Sequence, residues 1–241
     1  MNLENKIAII TGASIGIGRA TAIEFARQGA IVGLLSRSVR GLAETLQSVN
    51  DIGGTGRILQ TDLSQTRSIQ ETAKQIRDAF SHIDFLANIA GVWHDDNKPY
   101  FGITFNGYTA EEIENVYRVG VIGTALLTHS LAPIIRRGGI IINMSCYFKE
   151  GEAKGCVPYY GACKSIEHLT KALSEEFDDK GIMAYCIAPS YVATEPCKRY
   201  FPEQAQGSIA IQPIEVAKSI VGLTTGDHKL ANGQTLIISK E

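Results

Sequence analysis

Lys6 to Gly18 reads KIAIITGASIGIG, and this stretch decides the fold. Ile7, Ala8, Ile9 and Ile10 form a short apolar run of the kind found in a strand buried on both faces. Thr11-Gly12 ends the run, and Gly16 and Gly18 open the next element. From Arg19 the pattern turns helical, with Ala20, Ile23, Phe25 and Ala26 on an apolar stripe that Gly29 stops. A strand, a glycine turn and a helix N-terminus together make an anion site. The free backbone N–H groups and the positive end of the helix dipole suit a phosphate, and glycines let it approach the main chain. Read alone, the glycines fit a tight turn with no ligand; their place directly after an N-terminal strand favours a dinucleotide site.

Outward from this stretch, apolar strands alternate with helical patterns. Strands are expected at Ala30–Leu35, Ile58–Gln60, Ile83–Ala87, Gly139–Met144, Ile182–Ile187 and Thr235–Ile238. Helices are expected at Val39–Val49, Ser64–Phe80 with Ser64 as cap, about Thr109 to Ile135, Tyr160–Phe177 and Pro213–Leu223. Such alternation implies α/β architecture: one doubly wound, Rossmann-type parallel sheet with helices on both faces. With 241 residues and no repeat, linker or low-complexity segment, residues 1–241 read as a single domain.

Composition excludes several classes. Hydrophobic residues make up 44%, charged residues 20%, and the formal net charge is −2, so nothing draws nucleic acid or an anionic membrane. Asn2, Glu4, Asn5 and Lys6 interrupt any apolar run at the start, so no secretory leader is expected. The uncharged run Val119 to Ile135 is shorter than a membrane span and reads as a buried helix or subunit contact. Five cysteines, an odd number without metal-ligand spacing, fit a reducing cytoplasm. No metal site is expected.

Three stretches break the rhythm: Gly91–Tyr108, Cys146–Pro158 and Ser190–Gln212. Each follows the carboxyl end of a strand, where open parallel sheets form their ligand crevice. Together they hold 10 of the chain's 18 aromatics, which suggests a mostly apolar pocket with Trp93, Cys146, Tyr147 and Tyr191 among its walls. Packing of these rings back on the scaffold is the alternative.

Tyr160-Gly-Ala-Cys-Lys164 carries the second signal. The i, i+4 spacing on a helix puts phenol and ammonium on one face. A nearby cation favours phenolate and would make Tyr160 a general acid/base for a carbonyl oxygen; an ordinary helix surface is the bland reading of the same spacing. Tyr159 is not expected to substitute, because it has Cys163 rather than a cation four residues on.

Taken together, these residues resemble the short-chain dehydrogenase/reductase family in its classical form. Thr11-Gly12-Ala13-Ser14-Ile15-Gly16-Ile17-Gly18, Asp62-Leu63, Asn88-Ile89-Ala90-Gly91, Asn143-Met144-Ser145, Tyr160…Lys164 and Pro189-Ser190-Tyr191-Val192-Ala193-Thr194 follow the family's order across essentially the whole chain. The resemblance implies a nicotinamide cofactor held by the glycine turn. Asp62 and Leu63 would lie at the adenine, and Asn88, Ala90 and Gly91 beneath the adenosine ribose. Pro189, Val192 and Thr194 would hold the carboxamide, and Lys164 the nicotinamide ribose. Tyr160 would carry the proton. It further implies a homodimer or homotetramer and a small-molecule carbonyl or alcohol substrate. Asp62 as a turn cap, and the Asn88 segment as a sheet-stabilising turn, are the bland readings. At the end of strand two, Ser36-Arg37-Ser38 offers a hydroxyl and a guanidinium where an NAD site wants a carboxylate, so NADP is preferred over NAD.

Departures from the pattern sit at the chemistry. Cys146 stands where the family has its catalytic serine, leaving Ser145 as the substitute hydroxyl, with Tyr147 offering another. Plain packing at a strand end is the bland reading of Cys146. The loop from there to Tyr160 is about one residue longer than usual. Gly120 occupies the usual asparagine position on the long helix. The expectation is an NADP-dependent carbonyl/secondary-alcohol oxidoreductase acting through Tyr160, Lys164 and Ser145 on an apolar, aromatic or polyketide-like substrate. Its rivals are a catalytically impaired cofactor-binding protein and an enzyme using the cofactor for dehydration or rearrangement.

Overall fold

The computed structural model describes residues 2–240. Seven strands, β1 (Ile7–Thr11), β2 (Ile31–Ser36), β3 (Thr55–Gln60), β4 (Ile83–Asn88), β5 (Ile135–Met144), β6 (Met183–Pro189) and β7 (Thr235–Ile238), form one sheet in the order 3-2-1-4-5-6-7. Every pair is parallel. Strands β1 and β4 are buried along their length because helices cover both faces; β1 reads as an apolar run up to Thr11, whereas β4 carries the buried Asp84 and Asn88. Strand order reverses between β1 and β4, so the crevice opens at their carboxyl ends, where the glycine turn lies.

Helices α1 (Gly16–Arg27), α2 (Val39–Asp51) and α9 (Pro213–Thr225) cover one face, with Phe25 and Phe85 stacked at 5.6 Å between helix and sheet. Helices α3 (Thr66–Ala79), α4 (Ala110–Tyr117), α5 (Thr124–Leu131) and α6 (Val157–Glu176) cover the other. Two short helices, α7 (Glu195–Tyr200) and α8 (Pro202–Gln206), lie over the crevice in the stretch read as irregular.

Several elements differ from the sequence expectation. The long helix is interrupted: α4 and α5 are joined by a π-helical turn, Arg118–Gly123, and Ala132–Ile134 is 3-10. Gly123 ends that turn at a close approach to the loop after β3, where a Cβ would run into the Leu63 carbonyl. Ser64 does not cap α3; its N–H and hydroxyl both donate to Asp62 Oδ1, and the helix starts two residues later. Strand β5 begins early, pairing Ile135 with Ile83 across a register shift. Helix α6 starts at Val157 rather than Tyr160, with Pro158 in its first turn, where a missing N–H costs nothing.

Thr11 fastens the crevice. Its buried hydroxyl accepts the N–H groups of Ile89 (2.9 Å) and Ala90 (3.0 Å), joining the end of β1 to the loop after β4. Thr11→Val keeps the shape and leaves two N–H donors without their acceptor, so we predict a loss of about 1–3 kcal/mol in urea unfolding. A change inside about 0.5 kcal/mol, the ordinary scatter of neutral substitutions, would contradict this.

Candidate active site

One cavity of about 510 Å³ runs along the carboxyl edge of the sheet, from Ser36 and Arg37 at one end to Cys146 and Tyr159 at the other. The glycine turn forms its floor. Gly12 and Gly16 have φ of +68° and +56°, which side chains rarely adopt, and a Cβ on Gly18 would strike the Gly12 carbonyl. Ile15, preceding α1, has no polar side chain with which to cap the helix, so the first-turn N–H groups are left for an anion. Ser14, Ile15, Gly16, Ile17 and Gly18 all line the cavity. Pro189, Val192 and Thr194 line it from the opposite side, with the Thr194 methyl close enough to Gly16 to be 3.0 Å from a Cβ there. Thr194 Oγ1 accepts the Cys197 N–H at the start of α7.

At the β2 end, Ser36 donates to Ser14 Oγ (2.9 Å). Arg40 is paired with Glu44 and Arg19 with the same carboxylate, whereas Arg37 is exposed, lines the cavity and has no ion pair among the described residues. Two hydrogen-bonded arginines hold the Glu44 carboxyl below the usual carboxylate range. Asp62 and Leu63 line the adjoining wall, with one Asp62 oxygen committed to Ser64. These residues fit a dinucleotide.

Asn88 does not line the cavity. It is buried, and its amide donates to Asn143 Oδ1 (2.9 Å) and Thr128 Oγ1 (3.1 Å), while its carbonyl oxygen has no partner among the described residues. Asn143 in turn donates to Thr170 Oγ1 (2.9 Å) on α6. Ala90 and Gly91, with Ile89, supply the wall expected of that segment.

The largest correction concerns α6. The helix presents Tyr159, Ala162, Cys163 and Ile166 to the cavity, an i, i+3, i+4, i+7 face. Tyr160 and Lys164 share a face as expected, with the ammonium 5.7 Å from the ring centroid, but that face is rotated out of the cavity and neither residue lines it. Lys164 is instead bound to Glu167 at 2.9 and 3.1 Å. Ser145 lines the cavity as expected, but its hydroxyl is buried and engaged within the protein, lying 2.8 Å from Glu167 Oε1 and 3.1 Å from the Cys163 carbonyl, so its one hydrogen is shared between those acceptors. The sequence reading set Tyr159 aside because of Cys163, yet both residues line the cavity. The signal was present: the one-residue excess between Cys146 and Tyr160 vanishes when Tyr159 is taken as the pocket tyrosine.

Cys146 and Cys163 are disulfide-bonded, with Cα atoms 5.8 Å apart, which corrects the reading of Cys146 as simple packing. The other three cysteines are free and buried. Aromatic rings close the chamber above. Phe101 lies 5.6 Å from Tyr159, 5.7 Å from Phe201 and 5.9 Å from Trp93, and Phe148 6.3 Å from Tyr159. Tyr147 and Tyr191 complete the lining, whereas Tyr100 and Tyr108 are scaffold. Burial pushes the Tyr159, Tyr100 and Tyr108 phenols up to about 12.

A family model described as short chain dehydrogenase matches residues 6–205. The chain belongs to the short-chain dehydrogenases. This short-chain dehydrogenase is 34% identical over 193 residues to the uncharacterized oxidoreductase YxbG of Bacillus subtilis, covering 80% of this chain and 68% of that one. It is 27% identical over 249 residues to the 3-oxoacyl-[acyl-carrier-protein] reductase FabG of Escherichia coli, covering 99% and 98%. Among solved structures, the promiscuous reductase LugOII, which catalyses keto-reduction at C1 in lugdunomycin biosynthesis, superposes with a TM-score of 0.87 at 25% identity, covering 98% and 97%. A Burkholderia cenocepacia short chain dehydrogenase in complex with NADP shares the fold, with a TM-score of 0.87 at 21% identity, covering 99% and 98%.

The elevated phenols are protonated in the folded state where the unfolded chain ionises, so folding stability falls as pH rises from about 10 towards 12. In an alkaline absorbance titration at about pH 11, the native protein should develop the signal of no more than six of its nine tyrosines, Tyr100, Tyr108 and Tyr159 being nearly silent and Tyr185, also raised by burial, lagging behind the rest. Full amplitude in protein still folded would contradict the burial argument.

Proposed function

We propose that this short-chain dehydrogenase binds NADP(H) and interconverts a carbonyl and a secondary alcohol on an apolar, aromatic or polyketide-like substrate. One observation carries the reading: a single cavity joins an anion cradle and the Arg37 guanidinium to an aromatic chamber that holds a phenol. The names of FabG and LugOII, both reductases, support the reaction class. When bound, the nicotinamide would supply or accept hydride.

The chain's own residues supply position and proton. The N–H groups of the glycine turn would bind the pyrophosphate, and Arg37 the 2′-phosphate that distinguishes NADP from NAD. Trp93, Phe101, Phe148 and Phe201 exclude water and favour an apolar substrate. Tyr159, in place of Tyr160, would donate its proton to the carbonyl oxygen. Burial is the main influence on this phenol, no cation among the described residues draws it towards phenolate, and its pKa of about 12 keeps it in the donating form at neutral pH. The arrangement therefore favours reduction; the reverse reaction needs the phenolate as base.

A second reading rests on Cys146 and Cys163. Neither a hydroxyl nor an ammonium occupies the two positions beside Tyr159, which suits a protein that binds cofactor without turning over carbonyls. Tight NADPH binding with no turnover across a carbonyl panel would favour it.

Tyr159→Phe should lower carbonyl reduction by at least about 100-fold with NADPH affinity unchanged, while Tyr160→Phe retains most activity. The opposite pattern would return the proton to Tyr160. Alcohol oxidation should rise about tenfold per pH unit across neutrality, following the phenolate fraction; a plateau near pH 8 would mean that a cation tunes the phenol. Arg37→Ala should weaken NADPH binding by about 10- to 100-fold, the loss of a charge-assisted contact, and leave NADH binding little changed. Equal losses for both cofactors would remove Arg37 from the phosphate site.

A further inference from the structure

We infer that Cys146 and Cys163 form a redox-active dithiol/disulfide site inside the cavity, which exchanges with low-molecular-weight disulfides and thiols. Cys146 follows the carboxyl end of β5, and Cys163 lies one turn of α6 below Tyr159. Their Cα separation of 5.8 Å lies in the range a bridge requires, and both residues line the cavity.

The remaining thiols are chemically distinct from this pair. Burial pushes Cys156 up to about 11 and Cys186 up to about 12, and raises Cys197 as well. The thiolate is the reacting form, so burial disfavours reaction at these three, and of them only Cys197 lines the cavity. Of the three cysteines that line the cavity, only Cys146 and Cys163 stand within bonding distance of each other.

The exchange balances without a further reagent. One cysteine thiolate attacks a sulfur of the small disulfide, forming a mixed disulfide and expelling one small thiolate. The second cysteine thiolate attacks the cysteine sulfur of that mixed disulfide, closes the bridge and expels the second small thiolate. Two electrons pass from the protein pair to the small disulfide, and two protons go to the released thiolates. A small dithiol reverses both steps.

The bridge also has a consequence that rests on the proposed carbonyl reduction. In the open form Cys146 offers an S–H, a weak donor, at the position beside Tyr159; in the closed form it offers none. Closure further ties the 145–156 loop to α6, across 17 residues of sequence. The open form should reduce carbonyls severalfold faster than the closed form.

The folded protein is incubated with oxidised glutathione, or with dithiothreitol, and its thiols are alkylated after unfolding. Three of the five cysteines should be alkylated in the first case and all five in the second, with the Cys146 and Cys163 peptides joined only in the first. Cys163→Ala should carry glutathione on Cys146, and Cys146→Ala should carry it on Cys163. Five free thiols under both conditions would overturn the inference. So would a bridge that dithiothreitol opens only after unfolding, or joined peptides from any other pair. Carbonyl reduction is assayed in parallel. Absence of turnover in both states counts against the reductase reading alone, because the thiol counts decide the exchange site independently.

Discussion

The hydrogen bond from Asn143 to Thr170 is the interaction on which the candidate site depends. Asn143 lies near the end of β5, deep in the sheet, and Asn88 holds it from β4, which leaves its amide free to point at α6. Thr170 accepts that bond while donating to the Ile166 carbonyl within its own helix. All three polar side chains are buried, so each bond would be costly to lose and the helix has one satisfactory rotation. Thr170 shares its face with Ile166, Cys163 and Tyr159, four, seven and eleven residues earlier. Whatever lies on that face enters the cavity, and Tyr160 and Lys164 lie on the next.

The same rotation sets the electrostatics. Turned away from the crevice, Lys164 finds Glu167, and Ser145 completes a small polar cluster around that carboxylate. Tyr159, left among Phe101 and Phe148, has burial as its dominant influence, and burial favours the neutral phenol. The chamber is accordingly an aromatic site that holds a neutral phenol and a sulfur pair. The opposite end of the cavity remains polar, built from backbone N–H groups and one guanidinium.

Most of the fold is legible in the chain. Strands buried on both faces announce themselves as runs such as Ile7 to Ile10, and Thr235–Ile238 has the bounds its pattern suggests. The glycine turn is equally legible, because Gly12, Gly16 and Gly18 are required by backbone geometry that no other residue supplies. Asn88 misleads because its neighbours Ala90 and Gly91 do line the wall, and period alone does not say which residue of a turn points inward. The π-helical turn at Arg118–Gly123 is invisible to a reading that assumes one helical period. At the chemistry, two tyrosines stand side by side, and a lysine four residues after the second outweighs a one-residue discrepancy in loop length. Tertiary hydrogen bonds to Thr170, not local pattern, decide between the two faces.

A crystal structure of the protein with NADP bound is the most direct test of the Tyr159 assignment. The Tyr159 hydroxyl and the Cys146 sulfur should face the nicotinamide, with Lys164 still on Glu167. A structure in which α6 is rotated, with Tyr160 at the nicotinamide and Lys164 on the ribose, would contradict it.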